Sequence, residues 1–273
     1  MSELPTPQAP SILNHDGVRI HTFTAPDAFL ANSTHIIETA HSLVIVDGQF
    51  VVPYATAFRQ YADSLGKPIE RLYLSHAHVD HFFGVGAAFT DVEVYAAAAT
   101  IDVLREQGEQ MRAERAAQYG PLVPDRIVLP RNVVVPGMDA IDGIKYELDV
   151  VSDTECATQL LITLPDLGVT IAQDLIYSGA HLYITADTRH WADVLQGLLR
   201  LSSTAFLAGH GPVADKDEVQ RNIDYLAAAR ETFATAAGPQ EFKAAMLAAY
   251  PARTGTAILD IYLPRLYAQE DDK

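Results

Sequence analysis

Cysteine occurs once in the 273 residues, at Cys156, which excludes a disulfide framework within the chain. No apolar run approaches the ~20 residues that a membrane-spanning helix needs, although 49% of the residues are hydrophobic. Basic side chains are scarce: 19 Lys and Arg stand against 35 Asp and Glu, a formal charge of −16. Nucleic-acid binders display a basic footprint, so a nucleic acid is not expected as substrate or partner. The acidic surplus reads as a solvated surface that aids solubility. The first ten residues lack both the basic start and the apolar stretch of an export signal. These absences lead to the expectation of a cytoplasmic protein that acts on a small molecule and engages no membrane.

What is present is organised as α/β. The length and apolar content suffice for one large core. Residues 1–11 are Pro-rich and read as extended or disordered. Short strand-like runs follow at 18–23, 35–38 and 43–46, the last ending at Asp47-Gly48. Pro53 opens a helix whose apolar positions Ala57, Phe58, Tyr61 and Leu65 recur at helical spacing before Gly66. Strands are expected at 69–74, 92–95, 126–129, 145–150, 159–164, 169–172 and 205–208, with helices at about 97–118 and 190–201. Pro165-Asp166-Leu167-Gly168 reads as a hairpin turn. From 214 onward the chain is helical, at about 217–236, 239–250 and 254–263. Grouped strands with helices between them imply two sheets packed under helical layers. The chain is therefore read as a domain over 12–213 with a helical extension over 214–273, the latter either a lid or dimer element at the cleft or plain packing on the core.

The chemistry concentrates in Ser75-His76-Ala77-His78-Val79-Asp80-His81, three imidazoles and a carboxylate within six residues. Neutral imidazole supplies lone pairs at pH 7, and borderline metals such as zinc and iron favour that donor set with carboxylate. The run follows a strand and precedes Phe82-Phe83-Gly84-Val85-Gly86, which reads as a glycine-softened turn into a short helix. In an extended segment residues two apart share a face, so His76 and His78 can converge on one ion while Asp80 and His81 point to a second.

With this H-x-H-x-D-H loop the chain resembles the metallo-β-lactamase-fold superfamily over most of residues 18–213, with a ligand pattern similar to the glyoxalase II and lactonase branch. The resemblance implies a four-layer αββα sandwich and a two-metal site. In the family a third His, a bridging Asp and a final His follow the loop. The final His matches His210 in Ala208-Gly209-His210-Gly211-Pro212, and the bridging carboxylate matches Asp174, where Gln173 stands in place of the usual Gly. The third His is replaced by Glu155. The implied ligand set is His76, His78 and Glu155 for one ion and Asp80, His81 and His210 for the other, bridged by Asp174. Zinc is the first choice of metal, with iron or manganese favoured more by Glu155 than by an imidazole. Cys156 reads as a small buried hydrophobe.

A metal-bound hydroxide would then cleave an ester, thioester, lactone or amide bond of a small molecule, with Asp80 orienting or accepting a proton. His181 is a candidate proton or hydrogen-bond donor to an oxyanion, and Phe82, Tyr177 and Tyr183 are candidate substrate contacts. His15, His21, His35, His41 and His190 show no ligand spacing. Two alternatives remain open: an iron-dependent oxidoreductase in the same cleft, and a metal-binding or signalling protein without turnover.

Overall fold

The computed structural model describes residues 4–15, 17–184 and 188–271. Residues 1–3, part of the expected extended or disordered start, lie outside the described residues. Strand β1, Ser11–His15, begins at the end of that stretch. It opens a seven-stranded sheet that continues through β2 (Val18–Thr24), β3 (Ser33–Glu38), β4 (Leu43–Val46), β5 (Ile69–Tyr73), β6 (Val94–Ala96) and β7 (Asn132–Val133), in sequence order across the sheet. The pairs from β1 to β4 are antiparallel. From β4 to β7 they are parallel, and parallel neighbours require crossovers. Helices α1 (Val52–Ser64), α2 (Val79–Ala88) and α3 (Ala98–Tyr119) supply these crossovers.

The second sheet has the order β12, β11, β10, β9, β8, built from β8 (Gly137–Ile141), β9 (Ile144–Ser152), β10 (Thr158–Leu164), β11 (Val169–Tyr177) and β12 (Ala205–His210). Helix α4 (Arg189–Leu199) carries the chain from β11 to its parallel neighbour β12. Helices α5 (Lys216–Thr235), α6 (Pro239–Ala249) and α7 (Thr256–Asp271) follow.

Side-chain alternation makes the layers. On β4, Leu43 and Ile45 enter a core shared with α1, α2 and α3, whereas Val44 and Val46 enter a core between the sheets. On β11, Val169 and Ile171 face that central core, and Leu175 and Tyr177 join a third core with α4 to α7. Strands covered on both faces read as continuous apolar runs, as the sequence at 43–46 and 169–172 does. The result is the expected αββα sandwich. No helix among the described residues is long and apolar enough to cross a membrane.

Two local expectations need correction. Residues 126–129 form no strand; they run across α2 and α3 instead. A Cβ on Gly86 would meet the Arg126 carbonyl oxygen at 2.1 Å, and one on Gly108 would meet the Ile127 side chain at 2.5 Å. The edge position beside β6 belongs to β7, two residues past Pro130. The glycines at 84 and 86 do not soften a turn, because both lie inside α2. A Cβ on Gly84 would stand 1.6 Å from the Gly48 carbonyl oxygen, so the residue is there to let the helix press against the loop after β4.

Candidate metal centre

Both sheets deliver their functional residues at the carboxyl ends of strands, where open α/β sheets hold ligands. After β5 the chain stays extended to His78 (φ −86°, ψ 142°), and α2 begins at Val79. His76 and His78 therefore leave the strand, while Asp80 and His81 occupy the first turn of α2, whose positive end favours a carboxylate. Backbone bonds fix the loop: Gly48 N donates to His81 O (2.8 Å) and Gly84 N to Gln49 O (2.8 Å). Glu155 comes from the β9–β10 connection, Asp174 from β11 and His210 from the end of β12.

The chain brings all seven candidate ligands together in two groups: His76, His78, Glu155 and Asp174, and Asp80, His81 and His210. Within each, the donor atoms lie within 4.8 Å of one another. Asp174 touches both: its Oδ2 is 3.5 Å from His76 Nε2 in its own group, while its Oδ1 is 3.1 Å from His81 Nε2 and its Oδ2 3.3 Å from His210 Nε2 in the other. His78 Nδ1 lies 3.2 Å from Glu155 Oε1, and His210 Nε2 lies 3.5 Å from Asp80 Oδ2.

Outer partners set which ring nitrogen faces inward. His81 Nδ1 donates to Asp47 Oδ2 (2.8 Å), and His210 Nδ1 donates to the Leu30 carbonyl (2.8 Å). His76 Nδ1 pairs with Ser75 Oγ at 2.8 Å. Each leaves Nε2 aimed at the cluster, which is how metal-binding imidazoles are oriented. His76 Nε2 and Glu155 Oε2 are buried without a hydrogen-bond partner. Orphaned buried atoms cost ~1–3 kcal/mol each, and a cation among them would remove that cost. The residues fit a metal.

Electrostatics point the same way. Burial opposes ionisation of Asp174, yet His81, His210 and His76 hold its carboxyl well below the usual carboxylate range. Burial equally opposes a charged His81, but Asp174, Asp80 and Asp47 outweigh it and raise its pKa well above the ordinary imidazole value. The carboxylates call for positive charge at the position a metal would fill.

Glycines make room for this arrangement. A Cβ at Gly209 would fall 1.8 Å from Asp174 Oδ1, and one at Gly211 (φ +88°) would fall 1.9 Å from the Ser178 carbonyl oxygen. The G-H-G turn is thus a steric requirement of Asp174 and of the chain after β11.

The cluster floors a cavity of about 740 Å³ whose lining includes His78, Asp80, Glu155, Asp174, Tyr177 and His210. One face of α3, with Met111, Arg115 and Tyr119, forms a wall; α7 contributes another through Ile258, Ile261 and Arg265. Tyr183 also lines the cavity, with its ring centroid 5.6 Å from that of His78. The ring of Tyr177 stacks on His210 at 4.6 Å, and its hydroxyl donates to Asp174 Oδ2 (3.1 Å) with Glu155 Oε1 at 3.5 Å.

Two candidates fall elsewhere. Phe82 is buried in the core beneath the first sheet, edge-on to Phe83, because the second residue after Asp80 on a helix turns away from the cleft. His181 is fully buried in the helical layer: its Nδ1 meets Tyr225 Oη at 2.9 Å, and it is not among the cavity-lining residues. Burial, with Arg253 adding to it, pushes its pKa down to about 4. Glu155 and Cys156 sit in a turn between strands, and Cys156 is half-buried. Its thiol donates to the Thr158 carbonyl at 3.3 Å, and burial followed by Glu155 and Asp174 keeps its pKa well above the usual thiol value.

A sequence model of the metallo-beta-lactamase superfamily matches residues 28–210. The chain belongs to the metallo-beta-lactamase superfamily. By family it is a metallo-hydrolase that binds divalent metal. Solved metallo-β-lactamases share the fold. FIM-1 from Pseudomonas aeruginosa, in its mono-zinc form, is 19% identical with a TM-score of 0.61, over 82% of this chain and 98% of that one. The enzyme from Pontibacter korlensis is 19% identical with a TM-score of 0.58, over 80% and 99%. That from Erythrobacter litoralis, with β-mercaptoethanol in its active site, is 16% identical with a TM-score of 0.59, over 82% and 99%. No curated protein matches the chain.

The superfamily chain also holds residues that the sequence reading passed over. Asp47, read there as part of a turn, accepts from Ser75 N (2.8 Å), Ser75 Oγ (2.7 Å) and His81 Nδ1. Asn32 Nδ2 lies 3.3 Å from His81 Nε2. Their signal was slight: an Asp ending an apolar strand, and an Asn between two strands. The cavity walls on α3 and α7 carried no motif at all.

Proposed function

We propose that this chain is a dinuclear metal-dependent hydrolase acting on the ester, thioester, lactone or amide bond of a small molecule. The observation that carries the reading is the convergence of seven donors from four separate segments, five of them lining one cavity, with buried ring and carboxylate atoms left unpaired. His76, His78, Glu155 and Asp174 would hold one ion, and Asp80, His81 and His210 the other, with Asp174 between them. Divalent ions there, zinc first among the candidates, supply Lewis-acid activation of water and of a carbonyl group.

The chain's own residues do the rest. Asp80, whose side chain is 10% exposed, faces the cavity and can take the proton that water loses as it adds to the carbonyl carbon. The proton then passes to the departing oxygen, sulfur or nitrogen as its bond to that carbon breaks. Burial, then Asp174 and Glu155, raises the Tyr177 hydroxyl well above its usual pKa. It stays protonated, and its one hydrogen holds the Asp174 carboxylate in place (3.1 Å). Met111, Tyr119, Ile258 and Ile261 offer apolar surface for the body of the substrate.

Metal analysis together with hydrolysis of a panel of ester, thioester, lactone and amide substrates tests the reading. About two zinc per chain and chelator-sensitive turnover, restored by zinc, are expected. Turnover that survives complete metal removal would overturn it. Glu155 favours iron more than an imidazole would, so one iron per chain with no hydrolysis of any panel member would support the oxidoreductase reading instead.

A further inference from the structure

Gln173 lies in a conformation that its side chain does not favour. It is fully buried, its φ is +42°, and the register between β11 and β12 shifts on both sides of it. A non-glycine residue in the left-handed region is uncommon and costs ~1 kcal/mol or more. The shifts make Gln173 a bulge residue, and bulges re-aim side chains at functional sites. Here the residue re-aimed is the next one, Asp174.

The Gln173 side chain is fully engaged. Its Nε2 donates to Asp47 Oδ2 and, at 3.5 Å, to the Ser33 carbonyl. Its Oε1 accepts from His35 Nε2 at 2.8 Å. His35 Nε2 also lies 3.2 Å from the Ala208 carbonyl, so that nitrogen carries the proton. Nδ1 then accepts from Thr22 Oγ1 at 3.1 Å. The carbonyl and the carboxylate therefore fix which way round the amide sits. A continuous buried chain results: His35 to Gln173, Gln173 to Asp47, Asp47 to His81.

We infer that Gln173 is a positioning residue that locks the two ligand groups against each other, through its backbone for Asp174 and through Asp47 for His81. The inference rests on the reading of the cluster as a metal centre. A glycine would satisfy the backbone more cheaply but would supply no donor to Asp47. The glutamine is thus explained by what its amide holds, and the φ cost is what the contact overcomes.

Replacement by glycine separates the two roles, since glycine tolerates positive φ. Zn²⁺ alone is titrated against a chromogenic chelator for wild type and Gln173→Gly. Thermal unfolding of the metal-free proteins and the visible spectra of the Co²⁺-loaded ones complete the comparison. For Gln173→Gly, which acts on His81 through Asp47, we expect the weaker zinc step to weaken about 10-fold, the low end of the ~10- to 100-fold range for loss of a direct outer partner of a metal ligand. The cobalt spectrum should change while the metal-free unfolding temperature shifts little. A merely structural role would lower that temperature and leave zinc affinity and spectrum as in wild type, which would overturn the inference.

His35→Phe gives a second reading if the glycine variant does not fold. It keeps an aromatic ring, though a slightly larger one, and removes the donor to Gln173 Oε1, and it should weaken the same zinc step by a smaller factor. Unchanged affinity there also overturns the inference. Failure of wild type to bind zinc at all overturns the metal centre and this inference together. Wild-type binding with no change in either variant overturns this inference alone.

Discussion

Asp80 and Cys156 lie close to the same centre yet carry opposite expectations. Asp80→Ala should lower kcat by at least the ~100- to 10,000-fold of losing a positioned acid–base group and also lower metal content, since Asp80 belongs to the second ligand group, with the circular dichroism spectrum unchanged. Cys156→Ser should leave both kcat and unfolding temperature near wild type, because a serine hydroxyl can keep the thiol's contacts to the Thr158 carbonyl and Gln159 Oε1 and Cys156 belongs to neither ligand group. Gly209→Ala is the severest single change we foresee. Its methyl carbon would fall 1.8 Å from Asp174 Oδ1 and displace that carboxylate, so metal content should fall with activity, which elemental analysis of the purified variant checks. Away from the cleft, Glu38 sits buried among Arg19 (2.7 Å), His21 (2.8 Å) and Lys67 (2.9 Å). Burial opposes its charge, but those partners lower its pKa to about 2 from 4.5. A folded-state value below the unfolded one stabilises the fold above pH ~4.5 and loses that contribution as pH falls towards 2. Denaturant titrations of wild type and Glu38→Gln across that window should show the wild type losing more stability on acidification.

At the scale of elements, α7 is a wall only because its start is tied down. Gly255 N donates to Asp27 Oδ1 (2.7 Å), and Thr254 N donates to the Gly179 carbonyl (2.9 Å). Arg253 spans to the Ala180 carbonyl (2.6 Å) and to Glu218 (3.1 Å), with both charged side chains largely buried. Glu218 would keep Arg221 (2.5 Å) and the Gly179 amide (3.1 Å), so removing Arg253 costs less than the ~3–5 kcal/mol of a stranded buried charge and nearer the ~1–3 kcal/mol of its own lost hydrogen bonds. Arg253→Ala should lower stability by about that much in urea unfolding and raise KM more than it lowers kcat. The regular elements were mostly legible in sequence because apolar period and turn residues dictate them: 43–46 and 169–172 as buried strands, and the helix near 190–201 from its apolar stripe. What escaped depends on close approach between distant segments. The path of 126–129 is set by Gly86 and Gly108, and α2 starts at Val79 because of contacts with the loop after β4. The donor pattern was legible since H-x-H-x-D-H is local. Phe82 and His181 were misplaced because helix phase and tertiary burial decide where a side chain points, and neither is written in residue type.

For the whole molecule, the candidate ligands tie the loop after β5 and the start of α2 in the first half to the β9–β10 connection, β11 and β12 in the second. A ligand that binds only the folded state stabilises by RT ln(1 + [L]/Kd), ~2.7 kcal/mol at a hundredfold excess over Kd. Stripping metal with a chelator should therefore lower the unfolding temperature by several degrees, and added zinc should restore it in a concentration-dependent way. Scanning calorimetry at two zinc concentrations checks this.

The order of these parts along the chain has a further consequence. Every candidate metal donor lies at or before His210, whereas the α7 wall over the cleft begins at Thr256. Domains form from their N-terminal side as the ribosome feeds them out. The floor of the cavity and its α3 wall are therefore synthesised before the α7 wall, and the cavity gains that side only as α7 emerges.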